Sequence, residues 1–335
     1  MVKEKIIMDV DTGTDDAVAL VMALLGEEYE LLGISAVNGN VELRCTADNS
    51  QRVVECCGKE ESVKVYAGAD IPLVCTLDPQ SAQARYPLPI RESYGEVDNM
   101  MHGFHLPLPE AKHPYEKRSS IFWMAETLLQ AGEKEISLVP TGPLTNIALL
   151  LRTVPEVIPH IKRVVLMGGG HFIANASSAA EFNIWADPEA AEILLQSGLD
   201  ITFVPLDATH QALISAEEAE EIAAIGTAPA KFVSAVIKER IARYSRRDRD
   251  MAEYGAAPVH DALALCALTH PEVLKDVREC DCHVDIGRGI SYGRTVFDLR
   301  ERVQPEAPNC RVALGADKDF FYQWILGILK SGKEC

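Results

Sequence analysis

No stretch of this chain approaches the ~20 consecutive apolar residues that a membrane span needs. The longest apolar runs, such as the one from Ile161 to Met167, carry charges or glycines at their edges. The opening MVKEKIIMDV has a basic start, but its apolar run is too short for a signal peptide. Positive charge is scarce: 32 Lys and Arg stand against 50 Asp and Glu, a net charge of −18. So acidic a surface repels phosphate backbones and anionic lipid, which argues against nucleic acid and membranes as partners. A cation cofactor and a neutral substrate remain compatible with it. The nine cysteines contain no Cys-x-x-Cys pair and no zinc-finger spacing, and read as reduced thiols of a cytoplasmic protein. Walker A, His-Glu-x-x-His and Gly-x-Ser-x-Gly sequences are all missing, and Gly287, Gly289 and Gly293 lack dinucleotide-binding spacing.

What is present is an ordinary globular balance, 47% hydrophobic and 24% charged over 335 residues, enough for a sizeable core. Strand and helix patterns alternate. Strands are predicted at Lys5 to Val10, Leu31 to Val37, Val63 to Ala67, Ile136 to Pro140, Arg163 to Met167 and Ile201 to Leu206. Helices are predicted at Asp15 to Leu25, Val41 to Cys57, Ser119 to Ala131, Leu144 to Arg152, Asp187 to about Gln196, about 215–250, 261–269, and Asp317 to Leu329. Hairpin-like strands are expected around Tyr292 to Leu299. Seven prolines within 71–115 break all periodicity, marking a long loop or lid. With no repeat and no linker, the expectation is one large α/β domain over 1–335. Its core is a mostly parallel, open, Rossmann-like sheet covered by helices on both faces, with the active site at the carboxyl ends of the strands.

The most informative segment is Asp9-Val10-Asp11-Thr12-Gly13-Thr14-Asp15-Asp16, four aspartates in eight residues at a strand-to-helix junction. Carboxylates that close repel one another unless a cation sits among them, and an all-oxygen set suits Ca²⁺ or Mg²⁺ rather than zinc. A capping cluster on a solvated loop is the plainer alternative. An EF-hand fails because its twelfth position is Leu20, and the aspartyl-phosphatase pattern fails because Gly13 stands where Thr or Val belongs.

Other polar groups follow predicted strands: Asn38-Gly39-Asn40, Thr141-Gly142-Pro143, and Gly168-Gly169-Gly170 leading to Asn175 and Glu181-Phe182-Asn183. Amides and carboxylates without Lys or Arg suit a neutral polyol such as a sugar. Taken alone, Asn40 and Asn175 suit turns better than ligands, and their shared location after strands counts against that. His260-Asp261 opens a predicted helix, where a plain cap and a satisfied histidine compete with metal binding and proton transfer.

Together these motifs resemble the nucleoside hydrolases, the inosine-uridine-preferring nucleoside N-ribohydrolases. The Asp-x-Asp-x-Gly-x-Asp-Asp signature stands at 9–16, Thr-Gly-Pro-Leu-Thr-Asn at 141–146, the Gly-Gly-Gly…Asn…Glu-Phe-Asn-Ile…Asp-Pro-Glu-Ala stretch at 168–190 and Pro-Val-His-Asp at 258–261. The match covers nearly the whole chain. The resemblance implies a Ca²⁺-dependent enzyme that hydrolyses purine and pyrimidine ribonucleosides to ribose and base, through an oxocarbenium-like transition state, and that assembles as a homodimer or homotetramer.

The resemblance further implies Asp11, Asp16, Asp261 and the Thr141 carbonyl as calcium ligands, with Asp11 also the general base toward the calcium-bound water. It implies Asp15, Asn175, Glu181 and Asn183 as ribose ligands, Asn40 near the attacking water, and Met167 and Phe182 in the substrate site. His260 would assist departure of the base, with His102 and Tyr244 flanking it. Two departures bear on the base pocket: the run His102-Gly103-Phe104-His105-Leu106-Pro107 in the lid, and an arginine-rich helix carrying Arg240, Arg243, Arg246, Arg247 and Arg249. The rival reading is a catalytically weak calcium-dependent ribose- or nucleoside-binding protein. An intact Asp11 and His260 argue against it, because a binder needs no general base.

Overall fold

The computed structural model describes residues 3–74, 77, 102–246, 253–300 and 308–332. Strand β1 (Glu4–Val10) leads into helix α1 (Thr14–Leu25), followed by β2 (Tyr29–Ala36), α2 (Leu43–Cys56) and β3 (Val65–Ala67). The second run is α3 (Ser120–Gln130), β4 (Ile136–Pro140), α4 (Thr145–Thr153), β5 (Ile161–Met167), α5 (Phe182–Ala186), α6 (Pro188–Leu195) and β6 (Ile201–Val204). Then come α7 (Leu206–Thr209), β7 (Leu213–Ser215), α8 (Ala216–Ala224), α9 (Ala228–Tyr244), β8 (Ala256–Pro258) and α10 (His260–Thr269). The chain closes with β9 (Leu274–Cys280), β10 (Cys282–Val284), β11 (Thr295–Phe297), β12 (Cys310–Ala316) and α11 (Lys318–Ser331).

Eight strands form one sheet in the order β3-β2-β1-β4-β5-β6-β12-β9. Every pairing in it is parallel except β12 with β9. The central strand β1 is apolar on both faces, as a strand covered on both sides must be. Ile6, Met8 and Val10 join the core under α1, α9, α10 and α11, while Ile7 joins the core under α3, α4 and α6. Helices α1 and α10 are buried on nearly every side, so neither shows an amphipathic stripe. These layers make one α/β domain. Strand order reverses between β1 and β4, the switch point at which open α/β sheets form their ligand crevice.

Several predicted boundaries shift. The helical run expected over about 215–250 is two helices, separated at Gly226, whose φ of +90° few other residues adopt, and restarted by the Thr227 cap on Ala230 N–H. The strand expected to reach Leu206 ends at Val204, and the chain turns directly into α7. Asp261 does not cap α10: Val259 holds the cap position and Asp261 lies inside the first turn. Asp187 does cap α6, accepting the Ala190 N–H at 3.2 Å. Residues 75–76 and 78–101 of the expected lid, and Arg247 and Arg249, lie outside the described residues. No helix among the described residues is long and apolar enough to cross a membrane.

Candidate active site

The loop after β1 begins the site. Gly13 occupies the cap position of α1 and its N–H donates to Asp16 Oδ2 at 3.0 Å, so the first turn is closed by one of its own acids. Asp15 and Asp16 gain there from the positive end of the helix. Two glycines are required by space. A Cβ on Gly39 would lie 2.0 Å from Asp11 Oδ2, and one on Gly13 would lie 2.1 Å from His102 Nδ1.

The four carboxylates differ in their surroundings. Asp11 accepts the Asn40 backbone N–H on Oδ2 at 2.7 Å, while its Oδ1 is buried with no hydrogen-bond partner among the described residues. Asp16 accepts Thr141 Oγ1 at 2.8 Å and Asn40 Nδ2 at 3.2 Å. Asp15, Asp16 and Asp261 each bring a carboxylate oxygen within 4.8 Å of the other two, and all three are buried. Burial and the repulsion of neighbouring carboxylates push Asp11 and Asp261 well above the ordinary range, and Asp16 to about 6. Asp15 alone is held low: burial opposes this, but Arg240 and the nearby histidines outweigh it.

Asp9 stands behind this group, at the end of β1. Asn146 Nδ2 donates to its Oδ1 at 2.8 Å, and burial raises it to about 7. The resemblance gave Asp9 no role, and the structure shows it tying β1 to the first turn of α4.

The loops after β4 and β5 complete the wall. The Thr141 carbonyl accepts Asn183 Nδ2 at 2.7 Å. The same amide donates to the carbonyl of buried Met167 at 3.1 Å, so Asn183 bridges Thr141 and Met167. Glu181 caps α5, accepting Gly169 N–H at 2.9 Å and Asn183 N–H at 3.0 Å. Burial lifts its carboxyl to about 7 against those bonds. Gly169 reaches it with φ at +76°. Asn175 is exposed, and its Oδ1 accepts the Phe182 N–H at 2.9 Å. Phe182 packs near Trp185, with ring centroids 6.3 Å apart.

The histidines form the far side. His102 Nδ1 accepts the Thr14 N–H at 3.0 Å and lies 4.0 Å from Asp15 Oδ1. His260 uses both ring nitrogens: Nδ1 is 2.7 Å from Thr209 Oγ1 and Nε2 is 2.8 Å from the Tyr244 hydroxyl. Thr209 Oγ1 also donates to the Leu206 carbonyl at 3.4 Å. Each ring nitrogen thus has a hydroxyl partner, and the tautomer decides which side of each contact donates. Burial, first of all, lowers His260 well below its ordinary value, so the ring is neutral at pH 7.

Arg240 and Thr209 are site neighbours to which sequence reasoning gave no role. Arg240 is 1% exposed, and its Nη1 donates to Asp15 Oδ1 at 2.8 Å and to Thr14 Oγ1 at 2.7 Å. A signal for it exists: Val233, Ile237, Arg240 and Tyr244 follow the 3–4 spacing of one inward helix face.

Comparison with known proteins shows the family. The profile of the inosine-uridine preferring nucleoside hydrolases matches residues 6–323. An inosine-uridine preferring nucleoside hydrolase of Leishmania major is 35% identical over 324 residues, spanning 97% of this chain and 96% of that protein. A pyrimidine-specific ribonucleoside hydrolase, RihB, of Escherichia coli is 34% identical over 326 residues, spanning 96% of each. The structure of a purine-preferring ribonucleoside hydrolase from Gardnerella vaginalis superimposes with a TM-score of 0.84 at 28% identity, covering 99% of this chain and 100% of that one. The chain belongs to the inosine-uridine preferring nucleoside hydrolase family and is an enzyme that hydrolyses the N-glycosidic bond of ribonucleosides.

Proposed function

We propose that the enzyme acts on both purine and pyrimidine ribonucleosides with Ca²⁺ as its cofactor, releasing ribose and free base by direct attack of water. The observation that carries the metal is Asp11 Oδ1, a buried carboxylate oxygen without a partner among the described residues, on a carboxylate that repels Asp16 and Asp261, two members of the close trio completed by Asp15. An all-oxygen donor set of this charge fits a hard divalent ion. Asp11, Asp16, Asp261 and the Thr141 carbonyl would hold it. Bound there, Ca²⁺ supplies Lewis acidity that lowers the pKa of water.

The chain's own groups do the rest. Asp11 accepts the proton of the attacking water, and Asn40, already bonded to both Asp11 and Asp16, positions that water. Asp15, Asn175, Glu181 and Asn183 hold the ribose hydroxyls, and their carboxylates stabilise the positive charge of an oxocarbenium-like transition state. Met167 and Phe182 line the sugar site. His102 and Tyr244 flank the base. His260 assists departure of the base together with the Tyr244 hydroxyl that is hydrogen-bonded to its Nε2. Breadth toward the base is supported by relatives of near-equal identity whose names divide between inosine-uridine preferring and pyrimidine-specific. A cytoplasmic setting in nucleoside salvage, and a homodimer or homotetramer, belong to the same reading, supported by the thiol-rich composition and the family resemblance.

The test is sugar release from a panel of ribonucleosides, with and without Ca²⁺. Inosine and uridine should both be cleaved in Ca²⁺, and neither after exhaustive chelation. Cleavage of only one base class overturns the breadth, and full activity in metal-free protein overturns the cofactor. Binding of every ribonucleoside without release of sugar would make the chain a binder.

A further inference from the structure

Among the arginines in the described part of the arginine-rich stretch, Arg243 pairs with Glu239 at the surface and Arg246 is exposed, whereas Arg240 is buried. A buried guanidinium is costly unless its neighbours compensate it, and here they do. Nη1 donates to Asp15 Oδ1 and Thr14 Oγ1, Nε donates to the Pro258 carbonyl at 2.9 Å, and the guanidinium carbon lies 5.5 Å from the centre of the Tyr244 ring. The group is thus fixed to α1, to the segment entering α10, and to the tyrosine that bonds His260. It cannot follow Asp15 elsewhere, so Asp15 must stay with it.

Position alone gives Asp15 a choice. It lies within the compact trio with Asp16 and Asp261, where any carboxylate would be drawn to a divalent cation. A cation sharing Asp15 Oδ1 would also approach the guanidinium that already occupies that oxygen, and like charges repel. We infer that Arg240 is a positioning residue: it holds Asp15 out of the metal's ligand set and keeps its carboxylate free to read a ribose hydroxyl. The inference rests on the proposed assignment of Asp15 to ribose. Geometry makes the arginine specific. Its planar fork bonds two elements and one carboxylate at once, which a lysine ammonium on a flexible stem cannot reproduce.

The experiment compares wild type with Arg240→Lys and Arg240→Met in two measurements. One is kcat/KM for inosine, 2′-deoxyinosine and 3′-deoxyinosine. The other is calorimetric titration of metal-free protein with Ca²⁺, which needs no turnover. In Arg240→Met the preference for ribose over at least one deoxyribose should fall at least about tenfold, because inosine slows while the analogue lacking the hydroxyl is spared. Arg240→Lys should restore part of that preference. Ca²⁺ affinity should be retained or tightened as Asp15 is released toward the metal. Should Arg240→Met not fold, Arg240→Lys decides: a loss of at least about threefold in preference with Ca²⁺ binding intact supports the inference. Wild-type preference in the folded variants overturns it, as does a loss of Ca²⁺ affinity with the preference unchanged. Failure of the underlying reading looks different. Wild type itself would then cleave inosine and both deoxy analogues equally, removing the ribose role of Asp15 before any variant is made.

Discussion

The Tyr244 hydroxyl lies 2.8 Å from His260 Nε2, on a ring whose Nδ1 is already engaged by Thr209. A neutral imidazole bonded to a hydroxyl at each nitrogen shares its one ring proton with that network, so His260 and Tyr244 act on the leaving base as a pair. Tyr244→Phe should therefore act in the same direction as His260→Ala. Both should slow inosine, the histidine change by ~10²-fold or more, as for a lost general acid. Both should spare p-nitrophenyl riboside, whose leaving group departs without protonation. Equal slowing of the two substrates by Tyr244→Phe would show that the hydroxyl only packs against the ring.

Asp11→Asn keeps the side chain's shape and its contact with Asn40 but removes the proton acceptor. At saturating Ca²⁺, kcat should fall by ~10²–10⁴-fold for every nucleoside, whatever its base. Recovery of the wild-type rate on raising Ca²⁺ further would reduce Asp11 to a metal ligand.

Removing the metal should cost stability as well as activity. Asp11, Asp15, Asp16 and Asp261 are buried together, and a cation that binds only the folded chain stabilises it by mass action. At Ca²⁺ a hundredfold above its Kd the gain is about 2.7 kcal/mol. Thermal unfolding in chelator should start lower and return on adding Ca²⁺. Superimposable melting curves would contradict a folded-state metal site.

Much of this was legible because the chemistry is local. Four aspartates in eight residues between a buried strand and a helix stand out in the sequence itself, and the strands preceding Asn40, Thr141 and Gly168 are short apolar runs bounded by turn residues. What stayed hidden depends on distant partners. Strand β9 carries its charges in the adjacent pairs Lys275-Asp276 and Arg278-Glu279, which hides any strand alternation, and it is held by β12 in antiparallel register. The four-residue helix α7, which brings Thr209 to His260, is too short to show a period. The 3–4 spacing of Val233, Ile237, Arg240 and Tyr244 marks an inward face, but nothing within the helix reveals that the partner of Arg240 is Asp15, 225 residues earlier.

Asp187 gives a test of the fold that is independent of the metal. Its carboxylate caps α6 and receives Thr145 Oγ1 at 2.7 Å and the Leu73 N–H at 2.9 Å, tying the segment after β3 to α4 and α6. Burial nonetheless outweighs these bonds and lifts its pKa from 3.8 to about 6. Raised in the folded state, the group binds its proton there while the unfolded chain has released it. Between about pH 4 and pH 6 the folded protein therefore holds more protons, and this contribution to stability falls as pH rises through that window and is flat above it. The gap bounds the effect at about 3 kcal/mol. Urea unfolding of wild type and Asp187→Asn, at constant Ca²⁺, isolates it, because the variant does not titrate. Whatever their offset at pH 7.5, the difference should move in favour of wild type as pH falls to 4.5. A difference that does not change with pH would mean that Asp187 ionises in the fold as it does in water, and that its three donors fully offset its burial.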